Sequence, residues 1–159
     1  MPNQEEKVIQ GLIVFFINLC FMIPNVFAAE KNNAMPLFQH IFSVWTDAFN
    51  RKDLAGSCDL FSVHVEANYQ GAPRKNYESI CNGFKKVFQE NRDYKYHFKL
   101  HQVYHSNDMA SVRVTWYLQI YKHGKVISRT VDEGLDVFQR DKQGRWKIIY
   151  YLAYPSKSS

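Results

Sequence analysis

Asp132 and Glu133 are the residues of this 159-residue chain whose types and spacing most readily suggest chemistry. Burial disfavours the charged form of a carboxyl group, so an acid turned into an apolar space titrates nearer neutrality and can act as a general acid or base. The segment alternates, which puts Asp132 and Asp136 on one strand face with Thr130 and Gly134 and turns Glu133 to the other. Whichever acid faces inward is the best catalytic candidate. Asp132 and Glu133 are carried forward in that role, with Tyr69 or Tyr150 as partner. Glu66 reads as an outward carboxylate between Val65 and Ala67, and His64 as exposed. His97, His101 and His105 share a polar strand face with Lys99 and Val103, but ligands eight residues apart on one strand are too distant to hold one ion. There is no CxxC pair, Ser-His-Asp order, phosphate loop or dinucleotide fingerprint, and neither a metal nor a cofactor is expected.

Holding these acids requires a sheet. In residues 109–121, Ala110, Val112, Val114, Trp116, Leu118 and Ile120 share one face, while Ser111, Arg113, Thr115, Tyr117, Gln119 and Tyr121 share the other. A period of two over that length is a strand. His123-Gly124 makes a hairpin turn to a partner strand, 126–139, in which Gly134 suggests a bulge or bend. Strands at 63–69, 95–104 and 146–154 complete the set. Upstream, Pro36 opens a helix to about residue 51, carrying Phe38, Ile41, Phe42, Trp45, Ala48 and Phe49 at helical spacing. Asp53 caps a short helix over 54–61, and Asn76 or Tyr77 begins a third that runs to 90. The expected fold is α+β: a cone-shaped, strongly curved antiparallel sheet covered by three N-terminal helices, with a concave space suited to a small ligand. Trp45, Tyr69, Trp116, Trp146 and Tyr150 are expected to line that pocket. The 12 Phe, 10 Tyr and 3 Trp supply its apolar surface.

Residues 8–27 carry no charge and hold an apolar stretch, 11–23, of signal-peptide length, broken by Pro24. Val26-Phe27-Ala28 has small residues where a signal peptidase reads. The expected organisation is therefore a signal peptide over 1–28, a linker over 29–35, one domain over 36–155 and a tail over 156–159, the protein being periplasmic or secreted. The alternative is an uncleaved membrane anchor through 8–27, whose length is near the minimum for a bilayer span. Cleavage removes Glu5, Glu6 and Lys7, taking the net charge from +5 to +6. The basic residues are scattered in pairs such as Arg51-Lys52 and Lys85-Lys86, with no stripe to follow a nucleic acid. Cys58 and Cys81 read as buried free thiols, with a bridge open to them only in an oxidising compartment.

Four segments in this order resemble the SnoaL-like and ketosteroid isomerase-like superfamily, which shares its fold with nuclear transport factor two. They are Trp45 to Leu54 (WTDAFNRKDL), Leu60-Phe61, Asp108 to Val112, and Asp136 to Ile148 (DVFQRDKQGRWKI). The resemblance implies a cystatin-like α+β barrel, often dimeric through the outer sheet face, here with Arg113, Tyr117, Gln119 and Tyr121. Isomerases, cyclases, dehydratases and plain binding domains share that fold, so the fold does not settle the function. A ketosteroid isomerase needs a carboxylate base and an oxyanion-binding tyrosine. Those positions fall at Tyr69 and Trp45, and only the third, at Asp132 or Glu133, keeps an acid. Steroid-type isomerisation is therefore not expected. The leading expectation is an exported domain that binds a small hydrophobic or amphipathic molecule in the cone. The alternatives are an acid–base enzyme and a membrane-anchored structural subunit.

Overall fold

The computed structural model describes residues 34–156; the expected signal segment and anchor, most of the linker, and residues 157–159 lie outside them. Helix α1 (Ala34–Asn50) begins two residues before the expected start, so Pro36 sits in the first turn, where no backbone donor is required. It buries Phe38, Phe42, Trp45, Ala48 and Phe49. Lys52 takes a left-handed φ of 61°, and the amides of Lys52 and Asp53 donate to Phe49 and Ala48 carbonyls at 2.9 Å, closing the helix. Asp53 then caps α2 (Leu54–Asp59), accepting from the Gly56 amide at 3.0 Å. Helix α2 stops short of the expected residue 61 because Phe61 already pairs with Ile148 in the sheet. Asn76 caps α3 (Tyr77–Gln89) through the Ser79 amide.

Five strands follow the expected order: β1 (Phe61–Tyr69), β2 (Asp93–Ser106), β3 (Met109–Lys122), β4 (Lys125–Arg140) and β5 (Trp146–Pro155). They form one open, curved sheet in the order β1-β5-β4-β3-β2. All neighbours are antiparallel except β1 and β5, which run parallel; the remainder of the chain forms the long crossover between them. The inward face of β3 is the expected one, with Val112 and Val114 fully buried against Phe38, Phe42 and Phe138. Asn50 clips α1 to β2, accepting from the Tyr96 amide at 2.8 Å and donating to its carbonyl at 3.0 Å.

Three expectations are corrected. Gly134 is not a bulge: it pairs regularly with Val114 and Ala153. A Cβ there would lie 3.2 Å from Val114 Cγ1 and 3.6 Å from Trp116 Nε1, so the glycine makes room for these side chains. The extra residue of β4 is instead Ile127, where its register with β3 shifts, and β2 carries another between Leu100 and Gln102. The extra residue of β2 reverses the face of everything after it. Val103 and His105 therefore pair with Val112 and Ala110 on the inner side, apart from His97 opposite Tyr117, so the three histidines do not share a face.

Cys58 and Cys81 are not free thiols but a disulfide, their Cα atoms 5.7 Å apart where α2 packs against α3. The bridge closes a loop with a sequence separation of 23 residues, for which loop entropy suggests a stabilisation of about 3 kcal/mol. Cys58→Ser is expected to lower the unfolding free energy by roughly that amount in urea titrations. Adding reductant to the wild type should reproduce the loss, and equal stability with and without the bridge would refute it.

Candidate functional site

A cavity of about 340 Å³ opens between the inner sheet face, α1 and α3. Its aromatic wall is built around Trp45, whose indole N–H donates to the Ser57 carbonyl at 2.9 Å and is thereby fixed in orientation. Trp45 meets Trp116 at 5.1 Å, Phe49 at 5.4 Å and Tyr96 at 5.6 Å between ring centroids. Ile80, Phe84 and Val87 of α3 form the opposite wall, and the disulfide ties that helix to α2.

The polar groups lie mainly along the sheet side. Asp132 and Asp136 line the cavity from β4, with the bare Gly134 between them. The Tyr69 hydroxyl donates to Asp132 Oδ1 at 2.8 Å. Asp136 is the deeper acid, only 3 % exposed, and burial pushes its carboxyl up to about 7. Tyr69 is raised to about 12 by burial first and then by its bond to Asp132. Tyr151 is likewise raised to about 12, by burial first and then by Asp136, and Tyr96 is raised by burial. The three phenols stay protonated at neutral pH and can donate, while Asp136 can either accept or donate.

Of the residues expected to line the pocket, Trp45, Tyr69 and Trp116 do so. Trp146 and Tyr150 do not. Trp146 is buried against Phe38 and His105, with the Arg140 guanidinium 4.8 Å from its ring. The β4–β5 register shifts at Val137/Phe138, leaving Ile149 as an extra residue. The shift turns Tyr150 outward opposite Val137, where its hydroxyl accepts from Asn68 Nδ2 at 3.0 Å, and turns Tyr151 into the cavity. Glu133, expected as a catalytic acid, also faces away. It pairs with Thr115 on the outer face and accepts from the Thr115 hydroxyl at 3.0 Å, while His101 Nε2 approaches that hydroxyl at 2.6 Å. Glu66 and His64 are exposed, Glu66 3.3 Å from Arg74 Nη1. Asp136, Tyr96 and Tyr151 were not among the expected site residues. Alternation with Asp132 was already a signal for Asp136, whereas the bulge hid Tyr151.

Because Asp136 has a raised folded-state pKa, the protein binds a proton there that the unfolded chain has already lost between about pH 4 and 7. Its contribution to stability is therefore greatest below the unfolded value of 3.8 and is lost as pH rises through about 7. Asp136→Asn removes this dependence. The variant is expected to be more stable than wild type at pH 8, by a few kcal/mol, with the difference shrinking toward pH 4. Parallel pH profiles of chemical denaturation would refute the assignment.

Comparison with known proteins agrees with this architecture. A ketosteroid isomerase-like protein from Erwinia carotovora atroseptica superposes with a TM-score of 0.64 at 17% identity, covering 80% of this chain and 99% of its own. A nuclear transport factor two-like protein of unknown function from Shewanella oneidensis does so at 0.63 and 15%, covering 76% and 98%. A Catenulispora acidiphila protein in complex with S-DNPA gives 0.66 and 11%, covering 76% and 92%. At these identities the likeness shows the fold alone. No curated protein sequence matches the chain. The family model for the SnoaL-like domain matches residues 43–149, a span running from the helix that carries Trp45 to the strand beside Asp136, and the chain belongs to that family.

Proposed function

We propose that the protein binds a small hydrophobic or amphipathic molecule in the cavity between helices and sheet. The observation that carries this reading is an aromatic-walled space of about 340 Å³ whose polar groups, Asp132, Asp136, Tyr69, Tyr96 and Tyr151, can orient a ligand that the rings hold. The Catenulispora neighbour, held with a small molecule, supports it by analogy of fold. A second reading, acid–base catalysis, is favoured by the Tyr69–Asp132 hydrogen bond and by the raised Asp136. Binding is preferred because Tyr69 stands where a base would be needed and holds its proton at neutral pH.

Gly83 offers a direct test. It lines the cavity from α3, and nothing lies within 4 Å of a Cβ built there. Gly83→Leu adds bulk at that wall where the new Cβ meets no neighbour and, by replacing a helical glycine, is expected to add about 0.5–1 kcal/mol of stability. N-phenylnaphthylamine is expected to bind the wild type with enhanced fluorescence and to bind the variant at least about tenfold more weakly. Equal binding by both would sink the pocket reading. Any ligand found by competition against this dye is then assayed for turnover, which catalysis requires and which Asp132→Asn must abolish.

We further propose that the mature chain is exported as a homodimer through the outer sheet face. The uncharged stretch 8–27 with its Ala28 site and the disulfide support export, since such bridges persist in oxidising compartments. Tyr117, Leu135, Leu152 and Tyr154, each 38–46% exposed on one sheet face, support the dimer. A retained anchor, which would suit a structural subunit, is the competing outcome. Native mass spectrometry of protein recovered from an exporting host should show twice the mass of a chain beginning at Ala29. A monomer would count against the dimer, and a chain retaining residues 1–28 would count against cleavage.

A further inference from the structure

Asp136 and Asp132 stand in one aromatic cavity, and no described residue supplies them with a counter-charge. None of the ion pairs within the described part of the chain involves either acid. Asp132 accepts one hydrogen bond, from Tyr69. The Asp136 side chain, although 97% buried, has neither a hydrogen bond nor an ion pair from any described residue. A buried carboxyl group without a partner is costly whether it is charged or not. Here its open side is the cavity itself, so the missing partner belongs to whatever enters. The remaining titratable groups lining the cavity are Tyr69, Tyr94, Tyr96 and Tyr151, which are donors, and Lys75, the one cation, which lies exposed at the rim.

We propose that the cavity selects a cationic ligand, an amphipathic amine whose ammonium sits at Asp136 and whose apolar body lies against Trp45, Tyr96 and Trp116. This rests on the binding reading above and names the ligand class for that site. Three features converge on it. Two carboxylates facing one space repel an anionic ligand and attract a cation, strongly so where water is excluded. The faces of Trp45, Tyr96 and Trp116 add the electron-rich surroundings that ammonium groups favour. An ammonium also supplies the donors that Asp136 lacks, in a charge-assisted bond stronger than a neutral ligand could make.

The test uses three probes of one shape and different charge: tryptamine, tryptophol and indoleacetate, titrated calorimetrically into the full mature protein at pH 7. Tryptamine is expected to bind about tenfold or more tighter than tryptophol, and indoleacetate weakest. In Asp136→Asn the advantage of tryptamine over tryptophol should vanish. That variant removes a buried charge without removing volume, so it is expected to fold. At pH 6, tryptamine binding should also expel a proton from Asp136, seen as a heat that changes with the ionisation enthalpy of the buffer, whereas tryptophol should expel none. Tryptamine and tryptophol binding equally would overturn the amine assignment and leave the pocket reading standing. So would a preference for tryptamine that survives Asp136→Asn. If neither probe binds, both readings fall together.

Discussion

The register between β3 and β4 is the constraint on which the site depends. Val112, Val114 and Trp116 lie directly opposite Asp136, Gly134 and Asp132, and paired residues share a face. Because the buried face of β3 is a continuous apolar stripe, sliding β4 by one residue would expose Phe138 and bury Gln139 and Glu133. The core therefore decides that two aspartates enter the cavity and a glutamate leaves it. The same pairing explains Gly134. Its Cβ would meet Val114 and Trp116, so the strand gives up a side chain where the indole leans over the backbone. Apolar packing on one strand has thus set the charge of the adjoining cavity.

That arrangement opposes stability. Holding Asp136 in an apolar space disfavours its ionised form by on the order of 4 kcal/mol at neutral pH. In a domain with a total stability of roughly 5–15 kcal/mol this is a large fraction. The wall facing the acid is stiffened in compensation. Helix α3 buries only Ile80 fully, and without the Cys58–Cys81 bridge its hold on the domain would rest on partly buried side chains such as Phe84, Val87 and Phe88. The bridge ties α3 to α2, which Asp53 caps and whose C-terminal Asp59 forms a 2.8 Å ion pair with Lys147 of β5.

Much of this was legible in the chain. Period-two alternation over β3 gave the sheet and its inward face, and the Phe38-Phe42-Trp45-Phe49 spacing gave α1 and the wall it contributes. Failures concentrate where alternation is interrupted. A single extra residue in β2 moves His105 inward, and another in β5 exchanges Tyr150 for Tyr151. Neither bulge carries a glycine or proline to announce it; the one glycine suspected, Gly134, lies in regular pairing. Parity counted across a bulge is wrong for every residue beyond it, so regular alternation along β5 does not tell which of Tyr150 and Tyr151 faces inward. The disulfide was hidden for a different reason: proximity of Cys58 and Cys81 is a property of how α2 and α3 pack, and spacing along the chain does not encode it.

The sheet consequently has two unlike faces with separate polar groups. Inward, Asp136 has an open coordination sphere and an aromatic surrounding. Outward, Glu133 is engaged with Thr115, which is 4% exposed, and with His101 through it, inside a margin of Tyr117, Leu135 and Tyr154. A carboxylate whose lone pairs are occupied by neighbours in its own chain is suited to hold a surface in shape. One left without partners is suited to receive something. The sequence places these two acids three residues apart, and only the direction of each side chain separates a structural role from a binding one.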